Sequence, residues 1–156
     1  MKKLLQWIDD YVRPKEIAGE ADIDISAAVY TAYVELLKIE PRAGAPLSDV
    51  VLDLDLNKAT TGWDTVSTGS DTLDIAVFSK IDGTNYRHIK SASQLTAVGN
   101  GSHATAGVRL EIGAIGPDSP VSIRVKLNAE RDDVEIPYRL LYKGDRAPSI
   151  TAVAAA

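Results

Sequence analysis

Apolar and polar residues alternate without a break from Val121 to Leu127. Val121, Ile123, Val125 and Leu127 fall on one face and Ser122, Arg124 and Lys126 on the other, the pattern of a half-buried β-strand. The period of two returns in Val134–Tyr142 and in Leu73–Ser79. In Val50–Leu56 it puts Val50, Leu52, Leu54 and Leu56 inside and Asp53 and Asp55 outside. Ala21–Ile25 alternates, and Gly107–Ile115 reads as a further strand. From Ala28 to Ile39, helix formers (Ala28, Ala32, Glu35, Leu36, Leu37) compete with Val29, Tyr30, Thr31, Tyr33, Val34 and Ile39. The β-branched and aromatic residues prevail and Pro41 follows at once, which predicts a strand.

One stretch has a helical period. In residues 2–12, Leu4, Ile8 and Val12 recur four apart, with Leu5 and Tyr11 beside that stripe, and Pro14 ends the run. A helix of about eleven residues is marginal alone in water, so it must dock on its own domain or on another chain. Residues 15–21, with Gly19, read as a linker. Turn signals separate the strands: Pro41–Pro46, a polar loop from Thr60 to Asp71 around Trp63, Asp82-Gly83 ahead of a strand at Thr84–Ile89, Val98–His103, and Gly116–Pro120. From Arg146 to Ala156 the residues are small and low in complexity, which predicts a loose end.

These elements predict a mainly β fold: an antiparallel β-sandwich or barrel of about eight strands with a short N-terminal helix and extended termini. Residues 1–20 form an arm and linker, 21–145 the β domain and 146–156 an extended tail. The 156 residues suit one domain, and 45% hydrophobic with 25% charged residues is an ordinary globular composition. There are no cysteines, so thiolate chemistry and disulfides are out. The formal net charge of -5 disfavours a nucleic-acid partner, whose phosphates call for a basic surface. No run approaches the roughly 20 apolar residues needed to span a bilayer, and Gln6, Asp9 and Asp10 interrupt what begins like a signal peptide, so neither membrane nor export is expected. Asn100-Gly101-Ser102, a glycosylation sequon, therefore reads as a turn.

Candidate chemistry is sparse. The two histidines, His88 and His103, lack the neighbouring nucleophile and orienting acid of a hydrolytic triad and read as surface or interface residues. Asp53 with Asp55, and Asp22 with Asp24, share strand faces, and Asp64, Asp71, Asp132 and Asp133 are expected in loops. All read as solvated acids, without calcium-loop spacing. Gly99-Asn100-Gly101 lacks the rest of a phosphate-binding loop. No catalytic, cofactor-binding or metal-binding residue is assigned. Trp63, with Tyr86 or Tyr142, offers a stacking platform for a glycan, or a cover for the end of the core. The apolar residues of the two ends, Leu4, Trp7, Ile8, Tyr11, Ile150 and Val153, together with Trp63, are the expected partner-binding set.

The N-terminal arm with its helix, the acidic cysteine-free β domain, the segment Ser79-Lys-Ile-Asp-Gly-Thr-Asn-Tyr-Arg87 and the Ala/Thr/Val tail resemble structural proteins of tailed-phage virions, most of all capsid decoration (cement) proteins. That resemblance implies a non-enzymatic β-sandwich or barrel, made in the host cytoplasm, that sits on the outer capsid and bridges major capsid subunits through extended ends. The implied partners are the major capsid protein and neighbouring copies of the chain, as in a homo-trimer. Ligand- or glycan-binding modules and head-completion or tail proteins are the alternatives.

Overall fold

The computed structural model describes residues 13–25, 32–55, 71–98, 107–127 and 131–153. Nine strands make up its regular structure: β1 (Lys15–Ile25), β2 (Val34–Glu40), β3 (Leu47–Asp55), β4 (Asp71–Ser79), β5 (Arg87–Val98), β6 (Gly107–Ile115), β7 (Val121–Leu127), β8 (Arg131–Lys143) and β9 (Ser149–Ala152). They form a four-stranded sheet, β1-β8-β3-β6, and a five-stranded sheet, β5-β4-β7-β2-β9, and every pairing is antiparallel. The described residues contain no helix. The expected helix over 2–12 lies outside them, as do Leu4, Trp7, Ile8, Tyr11, Trp63 and His103.

The alternation read from the sequence sets which face each strand buries. Val121, Ile123, Val125 and Leu127 of β7 join Leu37 and Ile39 of β2 and Leu73, Ile75 and Val77 of β4. From the other sheet come Val50, Leu52 and Leu54 of β3, Val108 and Leu110 of β6, and Ile136, Leu140 and Tyr142 of β8, so one hydrophobic cluster is shared by both sheets. Each such side chain contributes roughly 1.5–3 kcal/mol when removed from water. Bulges keep the inward set in phase: β3 slips register between Leu47 and Val50, where Asp49 takes a positive φ of 49°. The Asp-Gly turn between β4 and β5 forms, but within a loop over residues 80–86, so the strand expected at Thr84–Ile89 begins only at Arg87 and runs on to Val98. Gly83 has φ +76°, and the Asp82 carboxylate accepts the backbone N–H of Thr84 at 2.9 Å and of Asn85 at 2.7 Å. Those two donors, Asn85 foremost, hold the Asp82 carboxyl far below the usual carboxylate range.

Two expectations about the ends are corrected. The segment 15–21, read as a linker because of Gly19, is the first half of β1 and pairs with β8 from Lys15↔Tyr142 to Ala21↔Ile136. Gly19 is there for packing: a Cβ at this position would lie 2.6 Å from the Tyr138 hydroxyl, because the Tyr138 side chain lies across the glycine of the neighbouring strand. The tail is likewise built into the fold. Ser149–Ala152 form β9 against β2, and Ile150 and Ala152 pack on the shared core. The Val153 N–H donates to the Leu36 carbonyl at 3.0 Å, and its carbonyl accepts the Asp22 N–H at 2.9 Å, so this residue links β9 and β2 to β1. Four residues are too few for a period to show. Asp71, Asp132 and Asp133, expected in loops, belong to strands: Asp71 opens β4, and the other two lie in β8, which begins at Arg131.

Candidate interaction face

The outer face of the five-stranded sheet departs from a plain solvated surface. Phe78 occupies the polar phase of β4, between inward Val77 and the turn, yet it is 9% exposed and lies outside the core cluster. Its cover comes from three directions. His88 on β5, its cross-strand partner, stacks on it with ring centroids 5.0 Å apart and planes 20° apart. Tyr33, just before β2, meets it edge-on at 5.5 Å and leans on His88 at 5.6 Å. The Arg124 guanidinium from β7 lies 4.6 Å from the Phe78 ring and 5.0 Å from Tyr86, the residue before β5. Lys126 sits 5.0 Å over Tyr33 and Lys80 5.1 Å over Tyr86. Cations over ring faces are attracted by the aromatic quadrupole, by about 0.5–2 kcal/mol each.

A buried serine organises this layer. Ser122 is fully buried although its side chain points away from the core. Its hydroxyl donates to Glu35 Oε2 at 2.6 Å and accepts from Arg124 Nε at 3.1 Å, which fixes the guanidinium in plane and position. Glu35 faces Arg124 directly across the β2–β7 pair. Around the rim, Lys38 pairs with Glu40 at 2.7 Å and Lys126 with Asp74 at 3.7 Å. The hydrogen bond that Lys38 donates to Glu40 raises the Lys38 pKa, and burial pushes the Tyr86 hydroxyl up. Two large apolar residues stand exposed at the same hairpin, Ile81 at 74% and Ile89 at 48%.

The outer face of the four-stranded sheet is arranged differently. Asp53 on β3 is flanked by Arg109 on β6 and Arg139 on β8. Arg109 binds both carboxylate oxygens, Nε to Oδ1 at 2.7 Å and Nη2 to Oδ2 at 2.8 Å, and Arg139 Nη2 reaches Oδ2 at 2.7 Å. The Arg109 contact, opposed by burial and reinforced by Arg139, lowers the Asp53 pKa to about 2. Asp53 does point outward as expected, but towards two arginines rather than into open solvent. Beside it, Asp55, Pro137 and Tyr138 help to line an open cleft of about 600 Å³. Among the described residues, no three His, Asp or Glu side chains converge as a metal site would require.

Of the residues singled out in the sequence, the structure brings His88 and Tyr86 together on the five-stranded sheet. Tyr142 lies in the core, and Ile150 lies half-buried on the chain's own core. Tyr33, Phe78, Ser122 and Arg124 were not singled out as site residues. The available signal was Phe78 itself, a large aromatic on the phase that Asp74 marks as outward. No protein-family model matches the chain, and no curated protein matches it.

Proposed function

We propose that this chain is a non-enzymatic structural protein that binds another protein through the outer face of its five-stranded sheet, as a β-sandwich module decorating or cementing a phage capsid. The observation that carries the proposal is the ring-and-cation layer of Tyr33, Phe78, Tyr86, His88 and Arg124, with Ile81 and Ile89 exposed at its hairpin. Tyrosine and arginine are the residues most often found at energetic centres of protein interfaces, and they act best when held rigid beforehand. A sheet face offers the roughly 800 Å² per partner of a specific complex. The resemblance to virion decoration proteins supplies the partners: major capsid subunits and neighbouring copies at the virion surface, with a head-completion or tail role as a variant. Because the tail is strand β9, the sheet face replaces the C-terminal end as the main adhesive element, while Leu4, Trp7, Ile8 and Tyr11 remain the proposed second contact.

Co-sedimentation with purified undecorated shells tests this reading. Saturable binding is expected, weakened about tenfold or more by the double substitution Tyr86→Ala, His88→Ala. Binding that is absent, or unchanged in that variant, overturns it. The aromatic layer also gives the glycan-binding alternative a concrete location, but three of its ring faces are covered by Arg124, Lys126 and Lys80. A sugar would have to displace those cations to stack. Saturable binding on a glycan array, lost in Tyr86→Ala, would favour that alternative.

A further inference from the structure

We infer that Arg124 is the anchor of this face and that it receives a single aspartate or glutamate side chain from the partner protein; the inference rests on the binding role proposed above and names what the face recognises. On the other sheet, Arg109 and Arg139 find their carboxylate within the chain, at Asp53. Arg124 does not: no carboxylate of the described residues forms an ion pair with it. Glu35, opposite it on β2, accepts the hydroxyl of Ser122 instead. The side chain is nevertheless fixed, by its Nε bond to Ser122 and by the rings of Phe78 and Tyr86. Its two terminal nitrogens remain as a planar fork on a half-buried residue.

That combination fits a carboxylate. Two parallel N–H···O bonds from a guanidinium to a carboxylate are strong and directional, and a guanidinium already immobilised loses little further entropy when it makes them. The flanking rings lower the local dielectric and strengthen the pair. The charge of the incoming group is limited from two sides. Glu35 lies alongside, and the whole chain carries a formal net charge of -5, so a doubly charged phosphate is repelled more than one carboxylate.

The test uses the full chain and the arginine Nε–Hε signals in NMR, with an end-capped, otherwise neutral peptide carrying a single glutamate as one probe and inorganic phosphate as the other. The Arg124 Nε–Hε and Tyr86 ring signals are expected to shift saturably with the peptide. In Arg124→Lys, which keeps the charge and loses the fork, affinity is expected to fall about tenfold, and in Arg109→Lys it is expected to hold. An unchanged amide spectrum in each variant shows that the fold is intact. Equal titration of wild type and Arg124→Lys, shifts confined to Arg109 and Arg139, or phosphate binding as tightly as the peptide would each overturn the inference. Shell binding that survives Arg124→Lys but is lost in Tyr86→Ala, His88→Ala overturns the carboxylate anchor and leaves the protein-binding role standing. A peptide titration as expected, with no affinity for shells, supports the anchor and removes the capsid.

Discussion

On the outer face of the four-stranded sheet a carboxylate sits between two arginines; on the outer face of the five-stranded sheet an arginine sits between two rings. The first row runs across three adjacent strands, β6-β3-β8, and the second across β2-β7-β4 to the start of β5. In the first, Asp53 takes three charge-assisted hydrogen bonds and the charges answer one another within the chain. In the second, the cation is positioned by a serine hydroxyl and by π-faces, neither of which neutralises it. The first arrangement consumes its binding capacity in holding strands together. The second holds the Arg124 fork against two rings, with the Glu35 carboxylate one hydroxyl away and not in an ion pair with it, and for that reason it is read as the working surface.

Phe78→Ala removes the ring beneath Arg124, Tyr33 and His88 and leaves a void in an otherwise closed layer. A loss of about 3 kcal/mol in unfolding free energy is expected from urea denaturation. Val51→Ala, at a half-buried position on the opposite outer face, is expected to cost about 1 kcal/mol or less. Similar losses in the two variants would mean that the aromatic layer is ordinary surface. Next in size is Ser122→Ala. It withdraws the hydroxyl from Glu35 and Arg124 at a fully buried site, and about 1–2 kcal/mol should be lost. Peptide affinity should fall with it, because the guanidinium is no longer fixed. A stability loss with unchanged affinity would show that orientation by the serine is irrelevant to binding.

Acid separates the two faces by a different route. The Asp53 pKa is lowered to about 2 in the folded chain, against about 3.9 for an unfolded aspartate. A depressed carboxyl contributes stability that is fully present above about pH 4 and disappears as the pH falls towards 2. The arginines are about half exposed, which screens the interaction, so about 1 kcal/mol is expected rather than the full shift. Stability measured between about pH 5 and 2 should fall less steeply in Asp53→Asn than in the wild type. Parallel curves for the two would mean that the arginine row contributes nothing to stability.

Much of the β architecture was legible because burial on one face of a strand leaves a period of two. β7 and β6 run over the same residues that the alternation and turn signals mark, and the Asp82-Gly83 turn announces itself by composition. The ends were not legible. Gly19 looks like a flexible joint until the ring of Tyr138 is seen above it, a contact between residues far apart in sequence. β9 is only four residues, too short for the β-branched Ile150 and Thr151 to announce a strand, and its place is set by pairing with β2. The interaction face was half legible. Its polar members sit where alternation puts them, but Ser122 is buried only because Glu35 and Arg124 close over it, and that closure depends on the β2–β7 register. No local pattern encodes a register between strands nearly ninety residues apart.

The smallest effect expected is at the rim, where Lys126 stands over Tyr33 and 3.7 Å from Asp74. The pair is partly open to water, with 35% of the lysine side chain and 19% of the aspartate exposed, and a long contact of this kind adds little. Asp74→Asn should change stability by less than about 0.5 kcal/mol and leave the Tyr33 ring signals in place, because the ring attracts the ammonium without help from the acid. A loss above about 1 kcal/mol, or a displaced Tyr33, would mean that the carboxylate places the lysine. The five-stranded face would then be a closed charge network like its counterpart, and the case for Arg124 as an open anchor would weaken accordingly.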